Sequence, residues 1–291
     1  MQESYFGDRL KSSGRPSLGR RVRTALLPLG VHLMSVSCMS GAQAVEPLAP
    51  GGVHVLFVGN SLTYVNDLPA TVAAIAASAG DTLRVASAVG ANLGLIDHLN
   101  GGSTAVEQLR RSRWSWVVLQ QGPTPAGVCR DSLVLWTKQF APLIEGAGAK
   151  AALLMTWPGA THVNLFDEVR VSFQAASLGV SGVFVPAGEA WRAAWAEDST
   201  LALYGNDGFH PSLVGTFLTA LVVYERITGR DVRTLPARAF ASGRELRLPS
   251  GTITLLQRVA HEVSVRFPAT SGPTAEELTK PSLFVMTSPR C

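Results

Sequence analysis

The chain has 291 residues and a mass of 30.8 kDa, with 25 basic and 21 acidic side chains, a formal charge of +4 and a pI near 9.2. With 46% hydrophobic and 16% charged residues it can build a large core, which excludes a disordered protein. Three cysteines exclude a disulfide scaffold, and none has the paired spacing of a zinc site.

Residues 1–24 are basic and polar and end in Gly19-Arg20-Arg21-Val22-Arg23. A mostly apolar stretch runs from Ala25 to Met39, interrupted by Pro28, Gly30 and His32, and Ala42-Gln43-Ala44 follows. These are the three parts of a secretory signal peptide cleaved near Ala44, and Arg20-Arg21 resembles a twin-arginine signal. The apolar stretch falls short of the roughly 20 residues of a membrane span, so no stable membrane insertion is expected. Residues 1–44 hold six basic side chains and two acidic ones, a net of +4. The remainder is balanced, and its charge gives no reason to expect a nucleic-acid partner.

After a Pro/Gly-rich linker over 45–52, short apolar runs alternate with helical patterns. Val53 to Val58, ending at Gly59, reads as a strand buried on both faces. A helix is expected over 67–79, with Asp67 as N-cap and Pro69 in its first turn. Further strands are expected at 83–89, 114–120, 151–156 and 182–185, and further helices at 103–112, 132–146, 166–178, 189–195 and 211–228. Such alternation predicts an α/β fold, a three-layer α/β/α sandwich with a central parallel five-stranded sheet, occupying 53–230. Residues 231–267 read as an extension with one docking helix, on the stripe Ile253, Leu256, Val259 and Val263. The Ser/Thr/Pro-rich segment 268–291 reads as a flexible tail.

In open parallel sheets, ligands bind beyond the carboxyl ends of the strands. Two motifs lie there. The first strand ends in Gly59-Asn60-Ser61-Leu62-Thr63, which is not a G-x-S-x-G elbow because Thr63 replaces the second glycine. Late in the domain, Gly205-Asn206-Asp207-Gly208-Phe209-His210-Pro211 sets a carboxylate and an imidazole three residues apart, in a turn that opens a helix. Such a turn can aim both side chains at one point, with the carboxylate orienting the imidazole.

G-N-S-L near the start of the domain and D-x-x-H-P near its end, about 150 residues apart, resemble the first and last sequence blocks of the SGNH, or GDSL-type, esterase and lipase superfamily. The resemblance covers about 53–230 and implies the flavodoxin-like fold of that superfamily. It implies Ser61 as nucleophile, His210 as general base and Asp207 as the residue that orients it. The backbone N–H groups of Ser61 and Gly90 would be oxyanion donors. The third block departs from the family: where G-x-N-D is usual, this chain has Val117-Val118-Leu119-Gln120-Gln121-Gly122. A glutamine amide can donate the same N–H, so Gln121 or Gln120 would replace the asparagine; neighbours on a strand face opposite ways, so only one can.

Asn60, Trp157 and His162 are the candidates for substrate contact, with packing as the competing role for Trp157 and a surface loop for His162. His54, His98 and His261 lack the spacing of metal ligands, and no cofactor is expected. Cys129 and Cys291 can pair in an oxidising compartment. The implied activity is a secreted serine esterase taking small-molecule or glycan esters with short acyl groups. A catalytically silent carbohydrate-binding protein and a glycan acyltransferase are the alternatives.

Overall fold

The computed structural model describes residues 51–283, all within one compact unit. The signal peptide with its cleavage point near Ala44, and Cys291, lie outside the described residues. Five parallel strands form one sheet: β1 (Val53–Gly59), β2 (Leu83–Val89), β3 (Trp116–Leu119), β4 (Lys150–Leu154) and β5 (Val183–Val185). Their order is β2-β1-β3-β4-β5. Val55 to Val58 are completely buried, as a central strand covered on both faces requires.

Nine helices of the described residues bear on the site or cover the sheet: α1 (Ser61–Tyr64), α2 (Leu68–Ser78), α3 (Leu95–Leu99), α4 (Ala105–Arg111), α5 (Val128–Gly146), α6 (Phe166–Leu178), α7 (Ala187–Glu197), α8 (Leu213–Thr228) and α9 (Ser250–Arg266). The helices α2, α7, α8 and α9 pack against one another, and α3, α4, α5 and α6 form the second group. This is the expected three-layer sandwich. No helix among the described residues is long and apolar enough to cross a membrane.

The caps explain several boundaries. Asp67 caps α2 as expected, its carboxylate accepting from the Ala70 N–H at 3.1 Å. The last helix of the domain begins two residues later than the sequence suggested, because Ser212 is its N-cap, accepting from the Gly215 N–H at 3.0 Å. Pro211 instead bridges Tyr204.

The extension holds more than one helix. Its α9 buries Ile253, Leu256, Val259 and Val263, and a hairpin of β6 (Ala239–Ala241) and β7 (Arg244–Leu246) precedes it. The hairpin turns on Ser242 (φ 50°) and Gly243 (φ 69°), the left-handed pair of a type I′ turn. His261 sits between two carboxylates, Nδ1 lying 2.9 Å from Glu225 and 3.2 Å from Asp231, which ties α9 to the end of α8. Asp231 is shared with Arg233 at 2.7 Å.

The segment after Pro268, expected as a flexible tail, is docked as far as residue 283. The Phe184 N–H on the edge strand β5 donates to Ala269 O at 2.8 Å, covering an exposed sheet edge. A short helix, α10 (Ala275–Thr279), follows, and Arg170 holds Glu277 at 2.7 Å. The Ser/Thr/Pro composition misled because this docking uses hydrogen bonds and ion pairs, with no apolar stripe to read.

Candidate active site

The strand order reverses beside β1, between β1 and β3, and that is where an α/β sheet opens a crevice at its carboxyl edge. The chain leaves β1 into Asn60 and Ser61, and leaves β3 into Gln120 and Gln121. Asn60 caps α1, its Oδ1 accepting from the Leu62 N–H at 3.1 Å, so Ser61 is the first residue of a helical turn. The first N–H groups of a helix have no acceptor within it. Ser61, 8% exposed, lines a chamber of about 290 Å³ with Asn60, Asn92, Gln121, Trp136 and Phe209.

The two glutamines separate as alternation on a strand demands. Gln120 turns beneath the elbow, and its Oε1 accepts from both the Asn60 N–H and the Thr63 hydroxyl at 2.8 Å. It does not line the chamber, which corrects its candidacy as an oxyanion donor. Gln121 does line it, with Oε1 accepting from the Leu95 N–H at 3.1 Å. Its Nε2 is therefore the end that can donate.

Gly90 also departs from expectation. Its N–H donates to Gly59 O at 3.3 Å, continuing the β1–β2 ladder, and the residue does not line the chamber. The chamber wall beyond β2 comes from residues 92–94 instead. Asn92 there adopts a left-handed backbone, φ 58°, a conformation uncommon outside glycine and concentrated at functional sites. Asn60 is at the chamber as expected, yet both ends of its amide are engaged, Nδ2 donating to Leu93 O at 3.1 Å.

The second motif is held from several sides. His210 Nδ1 lies 2.5 Å from Asp207 Oδ2, while Asp207 Oδ1 accepts from the N–H groups of Phe209 (3.0 Å) and His210 (2.9 Å). The bond to His210 first, then those backbone donors, pull the Asp207 carboxyl down to about 2. Gly208 takes a left-handed φ of 66° in the turn, and its carbonyl accepts from the Ala160 N–H at 2.8 Å. The Trp157 Nε1–H donates to Phe209 O at 3.0 Å.

Trp157 is thus a support and not a substrate contact: it is 1% exposed and stacks on Trp191 with ring centroids 3.6 Å apart. His162 lies elsewhere, on a second cavity of about 590 Å³ that also touches Asp207, Gly208 and Phe209. Cys129 is disulfide-bonded, and its expected partner Cys291 is outside the described residues.

His98 was passed over by the sequence reading. It is fully buried, with Nε2 donating to Gly59 O at 3.1 Å and Nδ1 2.6 Å from the Ser103 hydroxyl. Desolvation lowers its pKa, against the opposing pull of the Gly59 carbonyl. It fixes the end of β1 just ahead of Ser61. Asn66 has a similar role, its Nδ2 donating to Pro211 O at 2.8 Å and so tying the loop that follows Ser61 to the end of the Asp207–His210 turn. Neither has a motif signature; each is defined only by contacts distant in sequence.

No family model and no curated protein matches the sequence. Solved structures do match. A protein from Slackia heliotrinireducens described as an SGNH hydrolase is 25% identical, with a TM-score of 0.50, over 60% of this chain and 99% of its own. A DUF4886 family protein from Bacteroides uniformis is 17% identical, with a TM-score of 0.57, over 78% of this chain and 100% of its own; at that identity the likeness is one of fold.

Proposed function

The chain belongs to the SGNH (GDSL-type) hydrolase superfamily, and on that premise we propose that it is a serine ester hydrolase working through an acyl-enzyme. Ser61 Oγ attacks the acyl carbonyl as His210 Nε2 accepts its proton, with Asp207 fixing the imidazole through Nδ1. The oxyanion is met by the Ser61 N–H and the Gln121 amide. The imidazolium gives its proton to the departing alcohol. A water activated by the same imidazole then releases the acid.

One observation carries the reading. Ser61 and Gln121 line one chamber together with Phe209, the residue just before His210 in a turn whose Nδ1–carboxylate contact is 2.5 Å. Acyl groups of acetyl size suit a chamber of about 290 Å³. The three-part leader supports export, so the secreted protein should begin at Val45 on N-terminal sequencing. A fluorogenic acetyl ester compared between the parent and Ser61→Ala tests the chemistry: turnover should fall by about 10³-fold or more. Equal rates would leave a silent protein on this fold.

A further inference from the structure

The cavity of about 590 Å³ is twice the size of the nucleophile's chamber and shares two residues with it, Gly122 and Phe209. Its walls are largely apolar, from Pro123, Pro125, Pro158, Ala160, Leu165 and Phe209, and its polar side chains are those of Thr161, His162 and Asp207. Asp207, Gly208 and Phe209, the three residues that lead into His210, form one side of it. That side has a chemical meaning. In an acyl transfer the general acid must reach the leaving oxygen, so the alcohol half of the ester lies on the histidine's side of the nucleophile. The acyl half and the oxyanion lie on the other side, towards Gln121.

Resting on the esterase reading above, we propose that this cavity binds the alcohol half of the substrate, and that the natural substrates are short-acyl esters of a bulky apolar alcohol. A sugar would present hydroxyls to a wall that offers them few partners, and unpaired polar groups are costly to bury. An apolar cavity of this volume is the size of ordinary small-molecule sites. Phe209 stands between the two compartments and separates the acyl side from the alcohol side.

The test uses two series with alcohols of matched leaving ability. In one, acetate esters run from ethyl through cyclohexylmethyl to 3-phenylpropyl; in the other, ethyl esters run from acetate to hexanoate. We expect kcat/KM to rise about 10- to 100-fold along the first series and to stay flat or fall along the second. Ala160→Phe, with Thr161→Trp as a second filling variant in the lining, should lower the ratio of 3-phenylpropyl to ethyl acetate hydrolysis about tenfold. Turnover that depends on Ser61 but climbs with acyl length, or is indifferent to the alcohol, would overturn the assignment and leave the esterase standing. A binding arm separates the two readings: 3-phenylpropan-1-ol should bind Ser61→Ala protein and bind Ala160→Phe protein at least tenfold more weakly. Equal binding to both would refute the pocket regardless of turnover.

Discussion

Gly59→Ala is the sharpest probe of how the elbow is held. A Cβ built on Gly59 would lie 2.4 Å from Gln120 Oε1, 2.7 Å from the Thr63 hydroxyl and 3.1 Å from Gln120 Cβ. The Gln120 side chain, 1% exposed, has nowhere to retreat. Overpacking of this kind costs roughly 1–3 kcal/mol. Displacing Gln120 Oε1 also breaks its bonds to the Asn60 N–H and the Thr63 hydroxyl, at about 1 kcal/mol each. The sum is roughly 3–5 kcal/mol. At about 3 °C per kcal/mol for a domain of this size, Tm should fall by roughly 9–15 °C. Urea unfolding of the parent, Gly59→Ala, Gln120→Ala and the double variant measures it. Removing the Gln120 side chain removes the main obstacle, so the double variant should be at least about 1 kcal/mol more stable than the two single losses predict. Strict additivity would mean that Gly59 is there for another reason.

Three further outcomes follow from the same geometry. Gln121→Ala should cost about 100- to 1000-fold in kcat with a smaller change in KM, as expected for a lost oxyanion donor; Gln121→Asn should recover little, because one methylene less cannot span from Leu95 to the chamber, and near-parent kcat in both would remove Gln121 from the mechanism. His98 has a folded pKa depressed by burial below its ordinary 6.5, so the unfolded chain binds the extra proton. Its contribution is complete above about pH 6.5 and is lost as pH falls through the folded value, and thermal melts between pH 7.5 and 5 should show a decline that is shallower in His98→Leu. Glu189 is the reverse case, raised by burial despite Arg192 and Arg170. Its proton-linked contribution is present below 4.5 and lost as pH rises, so Glu189→Gln should gain Tm relative to the parent between pH 4 and 7, and a constant difference would contradict that.

Much of the fold was legible because its strands are short and apolar. β2 and α6 fall on their expected residues, since Leu83–Val89 and Phe166–Leu178 have clear ends in Gly80-Asp81 before and Gly179 after. The helices α1 and α3 were not legible, being four and five residues long and shaped by Asn60 and by the Gly94–Asp97 capping contact. The hairpin's signal is Ser242-Gly243 after the apolar run Ala239-Phe240-Ala241, but the charged Arg244-Glu245 that follows gives its second strand no apolar pattern. At the site, residue types in motifs were readable and directions were not. Alternation said that one of Gln120 and Gln121 faces away, but only the register of β3 on β1 says which. Gly90 failed for the same reason: a glycine after a strand does not tell whether its N–H stays in the ladder.

The glutamine pair changes what the missing asparagine means. Both carboxamide oxygens at the end of β3 are acceptors for backbone N–H groups of other loops, Gln120 for Asn60 and Gln121 for Leu95. One fixes the loop after β1 that carries Ser61; the other fixes the start of α3, beside the residues that wall the chamber. A lone asparagine has one amide and one short reach, and could not hold both loops while donating into the site. The substitution in the third block is therefore coupled to the way the crevice is built. Gln121 is anchored through its oxygen to the Leu95 N–H while it lines the chamber, and its side chain is one methylene longer than the asparagine it replaces.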